Sequence, residues 1–200
     1  MRHEPDAAPD EKRAARLASI LETAAACFRR TGYEQTSMSA LSAAAGVSKV
    51  AIYRYVPTKE QLLFEIIKSY HEELTVILER FEGTEAEPMT ELATFCENWV
   101  RLNARNPARS AVYHRDLRFL GPEHRAMLGD LGRPRRVVTS IVQRGQRDGV
   151  FDPALDAKIA GLALLASLNW TYQWFDPAGE LSDEDVAALG ARFALSAVRP

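Results

Sequence analysis

The run Ser42-Ala43-Ala44-Ala45-Gly46-Val47-Ser48 constrains this chain more than any other stretch. Two short segments with helical spacing flank it, from about Met38 to Ala45 and from about Lys49 to Tyr55. Ser37 and Ser48 stand at their starts as N-caps, and Pro57 stops the second. Gly46 supplies a tight turn, where a Cβ would be penalised in a left-handed conformation. A small residue is wanted where the two helices touch, and Ser42 sits there. Ile52, on the second helix, is spaced to pack back on the first beside Leu41 and Val47. A longer helix precedes the pair, from about Asp10 to Arg30, with Leu17, Ile20, Leu21, Ala24 and Phe28 on one face and Gly32 ending it. Three helices in this order and spacing form a helix-turn-helix.

The rest of the chain also reads as helix, which gives an all-α fold of about nine helices. Thr58-Lys59-Glu60-Gln61 has the form of a capping box and opens a long helix that ends near Gly83. Beyond a short acidic connector, helices are expected from about Met89 to Arg105 and from about Ala108 to Phe119. A third is expected from about Pro122 to Arg147, kinked at Gly132 and Pro134. The last two cover about Leu155 to Phe175 and Asp183 to Val198. This divides the chain into a domain over 10–58 and a larger one over 59–200.

Charge is distributed unevenly. Between Lys12 and Lys59 there are eight basic residues against two acids, a local +6 on a chain of formal net charge −2, which leaves −8 for the remainder. A basic end on an acidic body is the footprint of a module that meets phosphates, although a solvated charged face gives the same pattern. No apolar run reaches the roughly 18 residues of a membrane span. Met1 to Asp10 carries acids and prolines rather than an apolar core, so it reads as a lead-in and not a secretion signal, and the chain as cytoplasmic. Cys27 and Cys96 lie far apart with no metal-ligand clustering, and His3, His71, His114 and His124 are scattered. No HExxH and no Gly-rich phosphate loop is present, so neither an enzyme, a cofactor nor a metal is expected.

The second short helix leaves Lys49, Val50, Tyr53, Arg54 and Tyr55 exposed. Lying in a major groove, it would present Arg54 to guanine and Val50 or Ala51 to a thymine methyl. Ser48, Lys49, Tyr53 and Tyr55 suit phosphate contacts, which position without reading sequence. Lys59 opposes the dipole of the helix it begins, a placement that makes sense against a phosphate.

The segments Gly32-Tyr33-Glu34-Gln35-Thr36-Ser37-Met38 and Ala45-Gly46-Val47-Ser48-Lys49-Val50-Ala51-Ile52-Tyr53-Arg54-Tyr55-Val56-Pro57-Thr58-Lys59-Glu60-Gln61-Leu62-Leu63 resemble the DNA-binding signature of the tetracycline-repressor (TetR) family. The resemblance implies a homodimeric all-α regulator, usually a repressor, that binds double-stranded operator DNA and carries a divergent ligand-binding domain. It implies phosphate contacts at Thr36, Ser37, Ser48, Tyr53, Tyr55 and Lys59, and base reading at Lys49, Val50 and Arg54. Val50 stands where the family often has glycine, which bears on how closely the helix backbone approaches the groove.

In the larger domain, the helix expected near 155–175 is apolar on nearly every side in its first half and needs covering all round. With the last helix it would form a four-helix bundle across a two-fold interface, unless one monomeric core buries both. Phe95, Trp99 and Asn103, then Tyr113, Arg118 and Phe119, then Asn169, Trp170, Gln173 and Trp174 bring aromatic walls and a few polar groups together. These are the ingredients of a small-molecule pocket and equally of a core. The segment 168–182 resembles a TetR subgroup that senses acyl-CoA thioesters of lipid or sterol catabolism. That resemblance makes Arg115, Arg118, Arg133, Arg135 and Arg136 candidates for CoA phosphates, against a solvated basic face. The expected mechanism is ligand entry that shifts the long fourth helix and respaces the two recognition helices; the alternative is a helix-turn-helix regulator controlled by protein contacts alone.

Overall fold

A computed structural model describes residues 9–200, and all of their regular structure is helical. The lead-in expected over 1–10 falls, apart from its last two residues, outside that range. No helix of the described residues is long and apolar enough to cross a membrane.

Helix α1 (Pro9–Thr31) turns Ile20, Ala24, Ala25, Cys27 and Phe28 inward and ends on Gly32, whose positive φ of 86° lets its N–H reach the Phe28 carbonyl at 2.7 Å. α2 (Met38–Ala45) and α3 (Lys49–Tyr53) follow, and then α4 (Lys59–Glu79). α4 is the axis of the molecule. Leu62, Leu63, Phe64, Ile66, Ile67, Tyr70, Leu74 and Leu78 bury one face of it against helices from both halves of the chain. α5 (Pro88–Arg105), α6 (Pro107–Asp116), a 3-10 turn (Leu117–Phe119), α7 (Pro122–Met127) and α8 (Arg133–Arg147) come next. α9 (Ala157–Asn169), α10 (Thr171–Trp174) and α11 (Asp183–Val198) complete the chain. One continuous buried core runs from Ile20 to Val198.

Two expected helices are each divided, for identifiable reasons. The segment 122–147 is not a kinked rod but α7 and α8. Gly129, at φ 73°, closes the first, while Pro134 takes one of the first two positions of the second, where its missing N–H costs nothing. The segment 155–175 starts only after the N-cap Asp156, which accepts from Lys158 and Ile159 N–H at 2.8 and 3.0 Å, and it breaks after Asn169. There the Leu168 carbonyl is taken by Asn103 Nδ2 at 3.1 Å and Thr171 Oγ1 at 2.8 Å, which displaces the backbone donor a continuing helix would use.

The capping box expected at 58–61 is half made. Thr58 Oγ1 accepts from Gln61 N–H at 2.9 Å, but the Gln61 amide donates to Glu65 instead of returning. The reciprocal box belongs to Ser182 and Asp185 at the start of α11. Small residues set the close approaches. A Cβ on Gly145 would stand 2.0 Å from the buried Phe151 ring, and one on Gly161 would stand 3.0 Å from Val138 where α9 crosses α8. α11 lies along α5, pinned at its start by Arg101 on Glu184 at 2.7 Å and Arg105 on Asp183 at 2.6 Å.

Candidate nucleic-acid interface and effector cavity

The turn between α2 and α3 has the expected geometry. Gly46 is left-handed at φ 62° and ψ 31°, and its N–H bonds back to the Ala43 carbonyl at 3.3 Å. Ser42, more polar than a helix contact usually is, donates its hydroxyl across the turn to the Val47 carbonyl at 2.6 Å. Ile52 and Leu41 are buried behind it. Ser37 and Ser48 cap α2 and α3 by accepting from Ala40 and Ala51 N–H, each at 3.1 Å. Their hydroxyl protons are not used by those bonds and can donate to a phosphate oxygen.

What α3 presents is what its sequence promises. Val50 is 71% exposed and Tyr53 45%, with Lys49 and Arg54 beside them. Tyr55 is half-buried and lies under the Arg13 guanidinium, 5.6 Å from ring to cation, so the start of α1 adds a cation to this face. Lys59 rests over the Tyr33 ring at 4.3 Å and donates to the Glu34 carbonyl at 3.2 Å. Burial pushes its pKa down, and Glu34 opposes that. An ammonium has three N–H donors, so donors remain for a phosphate.

Thr36 departs from the expectation. It is buried, and its hydroxyl donates to the Gly32 carbonyl at 2.6 Å and lies 2.7 Å from Thr31 Oγ1. Its side chain ties the end of α1 to the start of α2 instead of facing a phosphate. Spacing alone does not distinguish an outward hydroxyl from one that closes a loop.

The second half of the chain grips this module at two places and holds the start of α4 at a third. Arg115 of α6 is held by the buried Asp116 at 2.8 Å and donates to the last-turn carbonyls of α1, to Arg29 at 3.2 Å and to Phe28. Phe119 packs at a tilt against Tyr33 at 5.5 Å, and Tyr33 meets Phe28 edge-on at 5.4 Å. Glu60, in the first turn of α4, accepts from Gly121 N–H at 2.9 Å and from His124 Nδ1 at 2.7 Å. Arg118 covers Phe119 at 4.8 Å. Phe119 and Arg118, expected at a pocket, therefore belong to the junction between the two halves.

A cavity of about 500 Å³ does lie between α4, α5, α6, α8 and α9. Of the residues expected at a pocket, Trp99, Tyr113 and Asn169 line it, joined by His114, Leu162 and Arg135. Trp99 donates its indole N–H to Asn169 Oδ1 at 2.8 Å, which turns the Asn169 amide group into the remaining donor of that side chain. Burial drives the His114 pKa down to about 4, so its ring is neutral. Burial also raises the Tyr113 hydroxyl to about 12, and that hydroxyl lies 3.0 Å from His71 Nδ1. His114 was not legible as cavity lining, because nothing local in sequence marks which face of α6 is left open.

The other candidates separate. Asn103 sits behind the cavity wall and joins four helices. Its Oδ1 accepts from Tyr70 of α4 and from Ser110 of α6 at 2.8 Å, and its Nδ2 donates to Leu168 of α9. Phe95 is core, packed between Phe81 and Trp99 at 5.4 and 5.5 Å. Trp170, Gln173 and Trp174 point outward, the two tryptophans 58% and 51% exposed. They continue a bare apolar face that includes Ile159 and Leu162 of α9 and Leu189 and Phe193 of α11, with a groove of about 770 Å³ along α11. Among the arginines considered for CoA phosphates, Arg115 is committed to α1, Arg133 is paired with Glu82 at 2.6 Å, and Arg136 is paired with Asp130. Arg135 is exposed at the cavity mouth.

Comparison with known proteins places both parts of the chain in one family. Residues 20–66 match the family model described as bacterial regulatory proteins, tetR family, and residues 85–198 match the tetracyclin repressor-like C-terminal domain. The HTH-type transcriptional repressor KstR2 of Mycolicibacterium smegmatis is 25% identical over 185 residues, covering 90% of this chain and 89% of the relative. The crystal structure of the TetR family regulator PfmR from Thermus thermophilus superposes with a TM-score of 0.76 at 34% identity, covering 88% of this chain and 97% of that one. AibR, in complex with isovaleryl coenzyme A and operator DNA, superposes with a TM-score of 0.74 at 27% identity over 89% of this chain and 97% of the other.

Proposed function

Because the chain belongs to the tetR family of bacterial regulatory proteins, we propose that it is a homodimeric repressor released from operator DNA by an acyl-CoA thioester. Residues 10–58 form the DNA-binding unit in this reading, and residues 59–200 the effector and dimer unit. Arg54, Val50 and Lys49 face base edges, while Ser37, Ser48, Tyr53, Tyr55 and Lys59 face phosphates. The apolar face of α9 and α11 supports a two-fold four-helix interface, since monomers seldom leave Ile159, Leu162, Leu189 and Phe193 bare together. The acyl class of effector is supported by the cavity's aromatic wall and by the isovaleryl coenzyme A bound to AibR.

One observation carries the release mechanism. α6 supplies Tyr113 and His114 to the cavity, and the next residue, Arg115, holds the end of α1. The 3-10 turn and α7 that follow hold Tyr33 and Glu60. A ligand that moves α6 therefore pulls on the DNA-binding unit and on the start of α4 at once. Two half-sites are read only when the recognition helices lie about 34 Å apart or a multiple of it. A ligand that prefers another spacing shifts the population off DNA.

Gel shift on the chain's own upstream DNA at fixed salt, with and without a panel of acyl-CoA thioesters, tests this. Specific binding abolished by one thioester is expected. Specific binding indifferent to every thioester removes the effector class, and absence of specific binding removes the whole reading.

A further inference from the structure

The cavity has a neighbour with which it shares one residue. Arg135 lines it and also lines a second groove of about 500 Å³ on the outer side of α8, shared with Arg136, Thr139, Ser140, Gln143 and, from α9, Lys158. Residues 135, 136, 139, 140 and 143 form one stripe of α8 at helical spacing. The two spaces differ in chemistry. Apart from Arg135, the cavity is walled by aromatic and aliphatic side chains with neutral polar groups, whereas the groove is walled by three cations, two hydroxyls and an amide, with no carboxylate. Of the acids flanking these helices, Asp130 pairs with the groove residue Arg136, and Asp156 caps α9 through Lys158 and Ile159 N–H.

We propose that this groove binds the phosphorylated nucleotide end of the effector, with the acyl end in the cavity and Arg135 at the join. The proposal rests on the thioester reading above. A guanidinium meets phosphate through two parallel N–H bonds, and Lys158 adds a mobile point charge from the facing helix. Arg136 exchanges Asp130 for phosphate. Thr139, Ser140 and Gln143 supply the neutral donors and acceptors that a ribose or a base edge requires. Of the arginines pointed to by sequence, this selects Arg135 and Arg136 and sets aside Arg115, Arg118 and Arg133, while adding Lys158, which sequence did not single out.

Calorimetric titration separates the two ends. The ligands are isovaleryl-CoA and octanoyl-CoA, the same acyl groups as pantetheine thioesters, and adenosine 3′,5′-bisphosphate as the nucleotide end alone. Each is titrated into the full chain and into Arg135→Glu/Lys158→Glu. Both positions are exposed, so the variant should melt within about 2 °C of wild type. The expected result is that the variant weakens CoA-thioester binding by about tenfold and abolishes bisphosphate binding, while pantetheine thioesters bind both proteins alike. Equal CoA-thioester affinity in both proteins, with no bisphosphate binding, overturns the groove and leaves the thioester reading standing. Bisphosphate binding that the variant loses, with no thioester bound in any form, keeps the groove and removes the acyl effector. Failure of wild type to bind any of the ligands overturns both.

Discussion

Glu60 accepts a 2.7 Å hydrogen bond from His124, which joins the first turn of the axial helix α4 to α7 of the effector unit. The other ring nitrogen of His124 lies 3.0 Å from Gln61 Oε1, and its ring stacks on Phe64 at 4.6 Å. The His124 bond, with a second from Gly121 N–H, holds the Glu60 carboxyl below its ordinary value of 4.5. A depressed carboxylate stabilises the fold above its unfolded pKa and loses that contribution as pH falls through its folded pKa. Wild type should therefore melt above Glu60→Gln at pH 7, and the gap should close as pH drops below about 4.5. Melting curves of the two proteins from pH 7 to pH 3 measure it; a gap that does not change with pH excludes an ionic role for Glu60.

Lys59 and Thr36 are predicted to part company. Lys59→Ala should weaken all DNA alike and reduce the slope of log affinity against log salt by about 1. Thr36→Val should leave that slope unchanged and cost about 1 kcal/mol of stability, because it removes a buried hydroxyl bonded to the Gly32 carbonyl. Arg54→Ala should cost about 1–3 kcal/mol on the preferred operator and less on other sequences. Anisotropy titrations across a salt series distinguish the three.

Phe193→Glu should convert the dimer to monomer without unfolding it. The side chain is 57% exposed in the single chain, so the change places a charge in the proposed interface and not in the core. Sedimentation velocity at micromolar concentration reads the mass directly. A dimer that survives the change would move the interface away from α9 and α11.

Gly145→Ala should destabilise by about 1–3 kcal/mol, since the new methyl would meet the fully buried Phe151 ring at 2.0 Å. Pairing it with Phe151→Leu should restore part of the loss, and denaturant melts of the single and double variants give the coupling.

The helix-turn-helix was legible because its signals are local. Gly46, the serine caps and Ile52 act within a few residues of one another, so their spacing alone specifies the turn. The break at 128–132 was legible only as a kink at Gly132 and Pro134, and the one at Trp170 was not, since it depends on Asn103 reaching Leu168 from sixty-five positions away. The cavity was legible only by residue type. Trp99, Tyr113 and Asn169 fell inside it, yet Phe119 and Trp174 carry the same aromatic signal and lie at the junction and on the outer face. Spacing along a helix says which residues share a side and not which element lies opposite.

The Asn103 carboxamide has consequences for how such a protein can diversify. Its oxygen and nitrogen hold Tyr70, Ser110 and Leu168 in one buried knot, and no other side chain supplies the same acceptor and donor in that volume. Aspartate would put a charge there, and leucine would strand three polar groups. Drift at this position is closed off, so a lineage changing its inducer has to do so on the opposite wall. There Ala166 and Arg135 are exposed and can be exchanged without loosening the helices behind them.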